Sequence, residues 1–196
     1  MLKRIAIMAL TGIFLAGNAF ATPTDEVKKT VDEVVRIVSE KESKKNEQKR
    51  RQALKKTISV IFDYGEMAKR SLGKHWNQRT PAERKQFVDL FATLLENSYA
   101  GKIESYNNER IVYVKEAIDG DHAEVRSKVV TAKRDEFSLD YRLMNQGGKW
   151  MVYDVVIEGV SLVSNYRSQF NRIITANGYS ELVKKLQSKS EEIKAP

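Results

Sequence analysis

Cysteine is absent from this chain, which excludes disulfides, thiol nucleophiles and cysteine-based metal sites together. Histidine occurs only twice and proline three times. Neither histidine stands in a pattern that does chemistry. His75 falls in Gly73-Lys74-His75-Trp76, between helical stretches, and His122 follows the turn signal Asp119-Gly120-Asp121. A solvated side chain is the simpler reading of each. No H-E-x-x-H, no G-x-S-x-G and no phosphate-binding glycine loop occurs. Beyond the N-terminus no run is apolar enough to span a bilayer, which takes roughly 20 residues.

The one strongly apolar stretch lies at the start. Met1-Leu2-Lys3-Arg4 is short and basic, residues 5–15 are apolar, and small residues lead to Ala19-Phe20-Ala21. That order reads as a secretory signal peptide over residues 1–21, cleaved after Ala21. A membrane anchor is the competing reading, but the run is too short to span and no cysteine offers a site for lipid attachment. The sequence therefore predicts a soluble, exported chain of about 175 residues, enough for one domain over 22–187 with a core of ordinary size. The formal charge of +8 becomes +6 once Lys3 and Arg4 are removed. A basic exported protein meets anionic lipid or acidic protein surfaces, and export argues against nucleic acid.

Helical periodicity fills the first half. Val27, Val31, Val34, Val35 and Val38 recur at helical spacing among charged residues. Residues 41–51 are strongly charged and read as a solvated connection or a helix end. A second helix is expected to carry Leu54, Ile58, Ile61 and Phe62 on one face. Thr80-Pro81-Ala82-Glu83 marks a helix start, with Thr80 as cap and Glu83 closing a capping box. Its apolar face runs through Phe87, Leu90, Phe91, Leu94, Leu95 and Tyr99.

Near residue 109 the period changes to two. Ile111-Val112-Tyr113-Val114 is β-rich, and Ala123, Val125, Ser127, Val129 and Thr131 alternate with polar residues. Phe137, Leu139, Tyr141 and Leu143 alternate likewise, and a fourth strand follows Gln146-Gly147-Gly148 over 149–158. Short turns imply an antiparallel meander. Helix returns after Gly159 with Val163, Tyr166, Phe170, Ile173 and Ile174 on one stripe, ending at Asn177-Gly178. Ser180 is expected to cap a last helix through Leu182, Val183 and Leu186, before a charged, frayed tail over 188–196. The order predicts an α+β domain with helices on one face of a four-stranded antiparallel sheet.

One carboxylate stands out, because Asp154 interrupts the apolar strand Val152-Tyr153-Asp154-Val155. As a buried acid beside a tyrosine it could act as a general base, as in cone-shaped α+β isomerases. It could equally be structural, on the outer face or bonded to backbone amides or to an arginine such as Arg167. Strict alternation turns Tyr153, Val155 and Ile157 inward and Asp154 and Glu158 outward, which favours the structural role.

The run Trp150-Met151-Val152-Tyr153-Asp154-Val155-Val156-Ile157-Glu158-Gly159-Val160-Ser161, continuing to Phe170, resembles the signature of the MlaC, or toluene-tolerance, family of lipid carriers. Phe62-Asp63-Tyr64-Gly65-Glu66-Met67-Ala68, Leu72-Gly73-Lys74-His75-Trp76, and the run from Thr80 through Phe87 to Tyr99 match in the family's order. The resemblance covers nearly all of the mature chain. It implies an NTF2-like domain in which a curved, four-stranded antiparallel sheet and several helices enclose an apolar pocket for phospholipid. It further implies a monomeric periplasmic carrier, not an enzyme, with no cofactor or metal. That carrier would shuttle lipid between an inner-membrane ABC transporter complex and an outer-membrane lipoprotein-porin complex, maintaining outer-membrane lipid asymmetry. An NTF2-like enzyme using Asp154, or a lipid-free, chaperone-like binder, are the alternatives, since a fold alone does not license a function.

Alternation names a candidate wall. Val129, Phe137, Leu139, Tyr141, Tyr153, Val155 and Ile157 can share the inner face of the sheet. Phe62, Phe91, Leu94, Leu95, Tyr166 and Phe170 can close the other side. Each residue alone reads equally as ordinary core. Arg142 and Arg167 are candidates for the headgroup phosphate, or belong to a solvated face. The helix over 80–98 is the candidate moving wall.

Overall fold

The computed structural model describes residues 21–40 and 46–192. The expected signal peptide up to residue 20, part of the charged stretch 41–51 and the last four residues lie outside the described residues. Five helices start where a side chain takes up a free backbone N–H of the first turn. Helix α1 (Pro23–Ser39) begins with a capping box between Thr22 and Asp25. Asn46 caps α2 (Glu47–Ile58), and Asp63 caps α3 (Tyr64–Leu72). The Thr80–Glu83 box expected from the sequence opens α4 (Pro81–Glu104). A 3-10 segment (Gly73–Gln78) joins α3 to α4. It starts at Gly73, whose φ of +53° suits glycine and where a Cβ would stand 3.4 Å from the Arg167 side chain.

The strands are β1 (Arg110–Asp119), β2 (His122–Val130), β3 (Glu136–Gln146), β4 (Lys149–Ile157) and β5 (Val160–Ser161). They form one antiparallel sheet in sequence order. The fifth strand was not expected: two residues long, it follows a turn in which Glu158 and Gly159 both have positive φ. So short a strand leaves no periodicity to read. Helix α5 (Leu162–Asn177), capped by Ser161, follows at once. Helix α6 (Tyr179–Glu192) starts one residue before Ser180 and stays helical past residue 188, where the sequence placed a frayed tail.

The second helix also differs from its pattern. It stops at Ile58, and Ile61 and Phe62 leave the helix to run beside β4. Val152 N donates to Ile61 O at 2.7 Å and Asp63 N donates to Val152 O at 2.9 Å. The first half of β4 would otherwise leave its backbone groups unpaired on that side, so tertiary pairing overrides helical spacing.

Two bulges shape the sheet. Tyr113 pairs with Ser127 but Lys115 with Arg126, leaving Val114 as an extra residue in β1. A second bulge lies between β3 and β4. The apolar side chains gather in three clusters. A helical cluster joins α3, α4, α5 and α6 around Phe87, Phe91 and Phe170. A sheet cluster joins Val125, Tyr141, Leu143, Trp150, Val152 and Val155 to Val27 of α1. A small third one ties α1, α2 and the end of α4 through Ile37, Val38 and Leu54.

Phe87 is wholly buried, stacks on Phe91 and meets Phe170 edge-on. Phe87→Ala should therefore cost about 3–5 kcal/mol. Thr80→Ala, which removes the capping hydroxyl together with an exposed methyl, should cost about 1 kcal/mol. Urea unfolding of the two variants beside the parent checks both the values and their order.

Candidate functional site

Directly opposed residues of antiparallel strands share a face. Val129 pairs with Phe137, Leu139 with Ile157, and Tyr141 with Val155. Six of the seven sheet residues named from the sequence therefore lie on one face. Tyr153 does not. Arg142 pairs with Asp154 but Leu143 with Val152, so Tyr153 is the extra residue of a bulge. Beyond the bulge the phase of β4 reverses: Trp150 and Val152 join Val155 on the inner face, while Tyr153 and Asp154 share the outer face with Arg142. Tyr153 packs outside between the Arg70 guanidinium, 4.1 Å from its ring centroid, and the His122 ring. One inserted residue leaves no trace in a period-two pattern, so alternation misplaced Tyr153 and passed over Trp150 and Val152.

Asp154 is 3% exposed on that outer face. Its carboxylate accepts from Arg142 Nη1 at 3.2 Å, from the Ser161 hydroxyl at 2.6 Å and from Val163 N at 3.1 Å. Val163 lies in the first turn of α5, where a negative charge also meets the positive end of the helix dipole. A general base needs a lone pair facing a cavity and a proton to take. This carboxylate is instead committed to donors from β3, β5 and α5, on the side of the sheet away from the inner-face cluster. Its arginine is Arg142, not Arg167.

The helical residues named from the sequence come together. Phe91 meets Tyr166 edge-on at 5.3 Å and Phe170 at 5.6 Å, and Leu94 and Leu95 join the same cluster. Phe62 and Tyr99 pack against both the helical and the sheet clusters, so they mark the seam between them. Along this seam Leu139, Ile157 and Tyr166 are half-buried, and Phe137 is 37% exposed. The Tyr99 hydroxyl lies within electrostatic reach of Tyr166, and Lys102 Nζ stands 5.7 Å from the Tyr99 ring. Neither arginine named from the sequence serves the seam. Arg142 is on the opposite face of the sheet, and Arg167 Nε donates to Arg70 O at the end of α3. Lys102 is the cation that sequence reading missed; its only signal was its place one turn after Tyr99.

Several tyrosine hydroxyls are held as phenols. Burial raises the pKa of Tyr64, Tyr99 and Tyr141. Tyr113 is pushed up to about 12, first by burial and then by the charge of Asp32. Its hydroxyl is buried without a hydrogen-bond partner among the described residues. The two histidines are spoken for, His75 by Asn171 at 3.0 Å and His122 by Asp121 at 2.6 Å. Among the described residues no three acidic or histidine side chains are grouped to hold a metal, and no helix is long and apolar enough to cross a membrane.

Asp154→Asn should cost roughly 2 kcal/mol in urea unfolding, because the amide keeps the shape but sets a donor against the donors that faced the carboxylate. A stability equal to that of the parent would contradict the anchoring role. For Tyr113, a folded pKa above the unfolded value of 10.0 means that the protonated form stabilises the fold. That contribution is complete below pH 10 and is lost as the pH climbs from 10 towards 12. Absorbance at 295 nm followed beside circular dichroism should show a share of the eight tyrosines ionising only as structure is lost.

A family model described as MlaC protein matches residues 28–188. The chain is 28% identical over 181 residues to the toluene tolerance protein ttg2D of Pseudomonas putida, covering 90% of this chain and 84% of that one. It is 28% identical over 126 residues to the intermembrane phospholipid transport system binding protein MlaC of Haemophilus influenzae, covering 62% and 59%. Among solved structures it is similar to the phospholipid-binding protein of Ralstonia solanacearum, determined in complex with a phospholipid. That likeness has a TM-score of 0.80 at 30% identity and covers 88% of this chain and 99% of the other.

Proposed function

This chain belongs to the MlaC protein family, and we propose on that footing that it is a phospholipid-binding transport protein, carrying lipid through the periplasm between an inner-membrane ABC transporter complex and an outer-membrane lipoprotein-porin complex. The observation that carries the reading is the shared fold with a protein solved around a phospholipid, together with the apolar seam between sheet and helices in this chain. The lipid seat we assign to that seam. Val129, Phe137, Leu139, Tyr141, Val155 and Ile157 form its sheet side, and Phe62, Phe91, Leu94, Leu95, Tyr166 and Phe170 its helical side.

Carrying a lipid through water means hiding its tails. A two-tailed phospholipid has about 30 methylenes, and at roughly 0.8 kcal/mol each their exposure costs on the order of 24 kcal/mol. A carrier must match the bilayer for this cost without exceeding it, or lipid could not leave. An apolar seam with few polar anchors meets that requirement. Opening also has a route. The close neighbours of α4 are the helices α3 and α6, and its apolar side chains belong to the helical cluster, except that Ile103 at its end packs with α1 and α2 and Tyr99 reaches the sheet. Helix α4 can therefore move relative to the sheet without breaking a strand ladder. The headgroup stays at the rim, where Lys102 offers a single exposed charge to any phosphodiester.

The mature chain, taken from a periplasmic extract without detergent and weighed by native mass spectrometry, should carry one phospholipid that is released on denaturation. Phosphatidylethanolamine and phosphatidylglycerol should load comparably, since the tails make most of the contact. A lipid-free mass combined with no uptake from vesicles of either lipid would overturn the proposal, and bound polypeptide in its place would mark a chaperone-like role.

A further inference from the structure

Three polar side-chain atoms among the described residues are buried without a hydrogen-bond partner: the Ser71 hydroxyl, Arg79 Nε and the Tyr113 hydroxyl. Ser71 lies in α3, and Arg79 follows the 3-10 segment with its guanidinium over the Tyr179 ring. Only Tyr113 stands on the sheet. It projects from β1 opposite the buried Ser127, on the face that carries Val125, Val129 and Tyr141, and it packs against the sheet cluster. A buried hydroxyl that finds no acceptor opposes folding, and phenylalanine would fill the same position of a strand without that cost. The hydroxyl is therefore placed for an acceptor that the protein itself does not supply.

The surroundings select that acceptor. Asp32 of α1, paired with Lys28 at 2.5 Å, acts on Tyr113, and Asp140 of β3, bonded to Ser127 N at 3.0 Å, acts on Tyr141 beside it. Two carboxylates near the pair disfavour an anion such as a phosphate or a fatty acid carboxylate. Burial, and after it the charge of Asp32, keeps the Tyr113 phenol protonated, so that it donates. A neutral group that only accepts hydrogen bonds and sits at the head of two apolar tails fits the position. The acyl-ester carbonyl of a glycerophospholipid is such a group, and a dialkyl ether lipid lacks that projecting carbonyl oxygen altogether.

We propose that the Tyr113 hydroxyl donates a hydrogen bond to an acyl-ester carbonyl of the bound lipid, and so makes the carrier prefer diacyl over dialkyl ether phospholipids. This rests on the carrier reading given above. The experiment loads the delipidated mature chain from vesicles of diacyl phosphatidylglycerol or of its dialkyl ether analogue with equal chain lengths. Retention is then measured for the parent, Tyr113→Phe and Ser71→Ala.

The parent should hold the diacyl lipid roughly tenfold more tightly than the ether lipid. Tyr113→Phe should lose that preference, its diacyl affinity falling to the ether level. Lipid-free Tyr113→Phe should unfold at the same or a higher urea concentration than the lipid-free parent. Ser71→Ala, which removes a buried hydroxyl outside the seat, should keep the preference. A parent that loads both lipids equally overturns the inference, and so does a Tyr113→Phe variant that keeps the preference or is less stable when lipid-free. A parent that takes up neither lipid refutes the carrier reading itself, an outcome distinct from the others.

Discussion

Asp154 accepts hydrogen bonds from Arg142 of β3, from the Ser161 hydroxyl and from the first turn of α5. The polypeptide turns there from sheet to helix, and the carboxylate sets where that helix begins. Helix α5 supplies Tyr166 and Phe170, against which Phe87 and Phe91 of α4 pack. The helical layer is thus hung from the sheet by a polar joint at one end. Its apolar surface does not need to adhere permanently to the apolar surface of the sheet, because directional bonds to a charge already fix the register of the two layers. A fold held together only by its seam could not open that seam and stay folded.

Pinning one edge leaves the other free. Helix α5 is tied to β4, while α4 packs among helices and meets the sheet through Tyr99. The aromatic residues of the helical cluster interlock through both edge-to-face and stacked pairs, geometries that favour a rigid unit over a fluid one. The division of labour follows. Aromatic contacts keep the helices together, backbone ladders keep the strands together, and between these two bodies lie mainly half-buried apolar side chains. On the proposed carrier reading, an acyl chain replacing those contacts would exchange one apolar surface for another, with little net change in free energy.

Much of this organisation was legible in the chain. The α+β order, the Thr80 capping box, the aromatic stripe of α4 and the shared face of Val129, Phe137, Leu139, Tyr141, Val155 and Ile157 all follow from period and capping chemistry. The failures have specific causes. Tyr153 was misplaced because a bulge adds one residue to β4, and alternation has no memory of insertions. Phe62 was assigned to a helix because its spacing is helical, but the unpaired backbone of β4 competes successfully for that segment. Arg142 and Arg167 were named for their charge alone, and charge in a sequence does not say which side of a sheet it reaches. Tyr113 stood in plain view within Ile111-Val112-Tyr113-Val114; its significance lies in a missing partner, which only packing reveals.

Strand β1 is an edge, paired among the described residues with β2 alone, and it carries the exposed apolar residues Val112, Val114 and Ile118. A flat edge of that composition would be a template on which copies of the chain could stack into fibrils. The inserted Val114 spoils the template, since a bulge twists the edge and puts neighbouring donors and acceptors out of step with any straight strand laid beside them. Lys115 and Glu116 follow it directly and place charge in the middle of the apolar row. A chain without disulfides has no covalent check on misassembly. In β1 that protection falls to one surplus residue and the charges beside it.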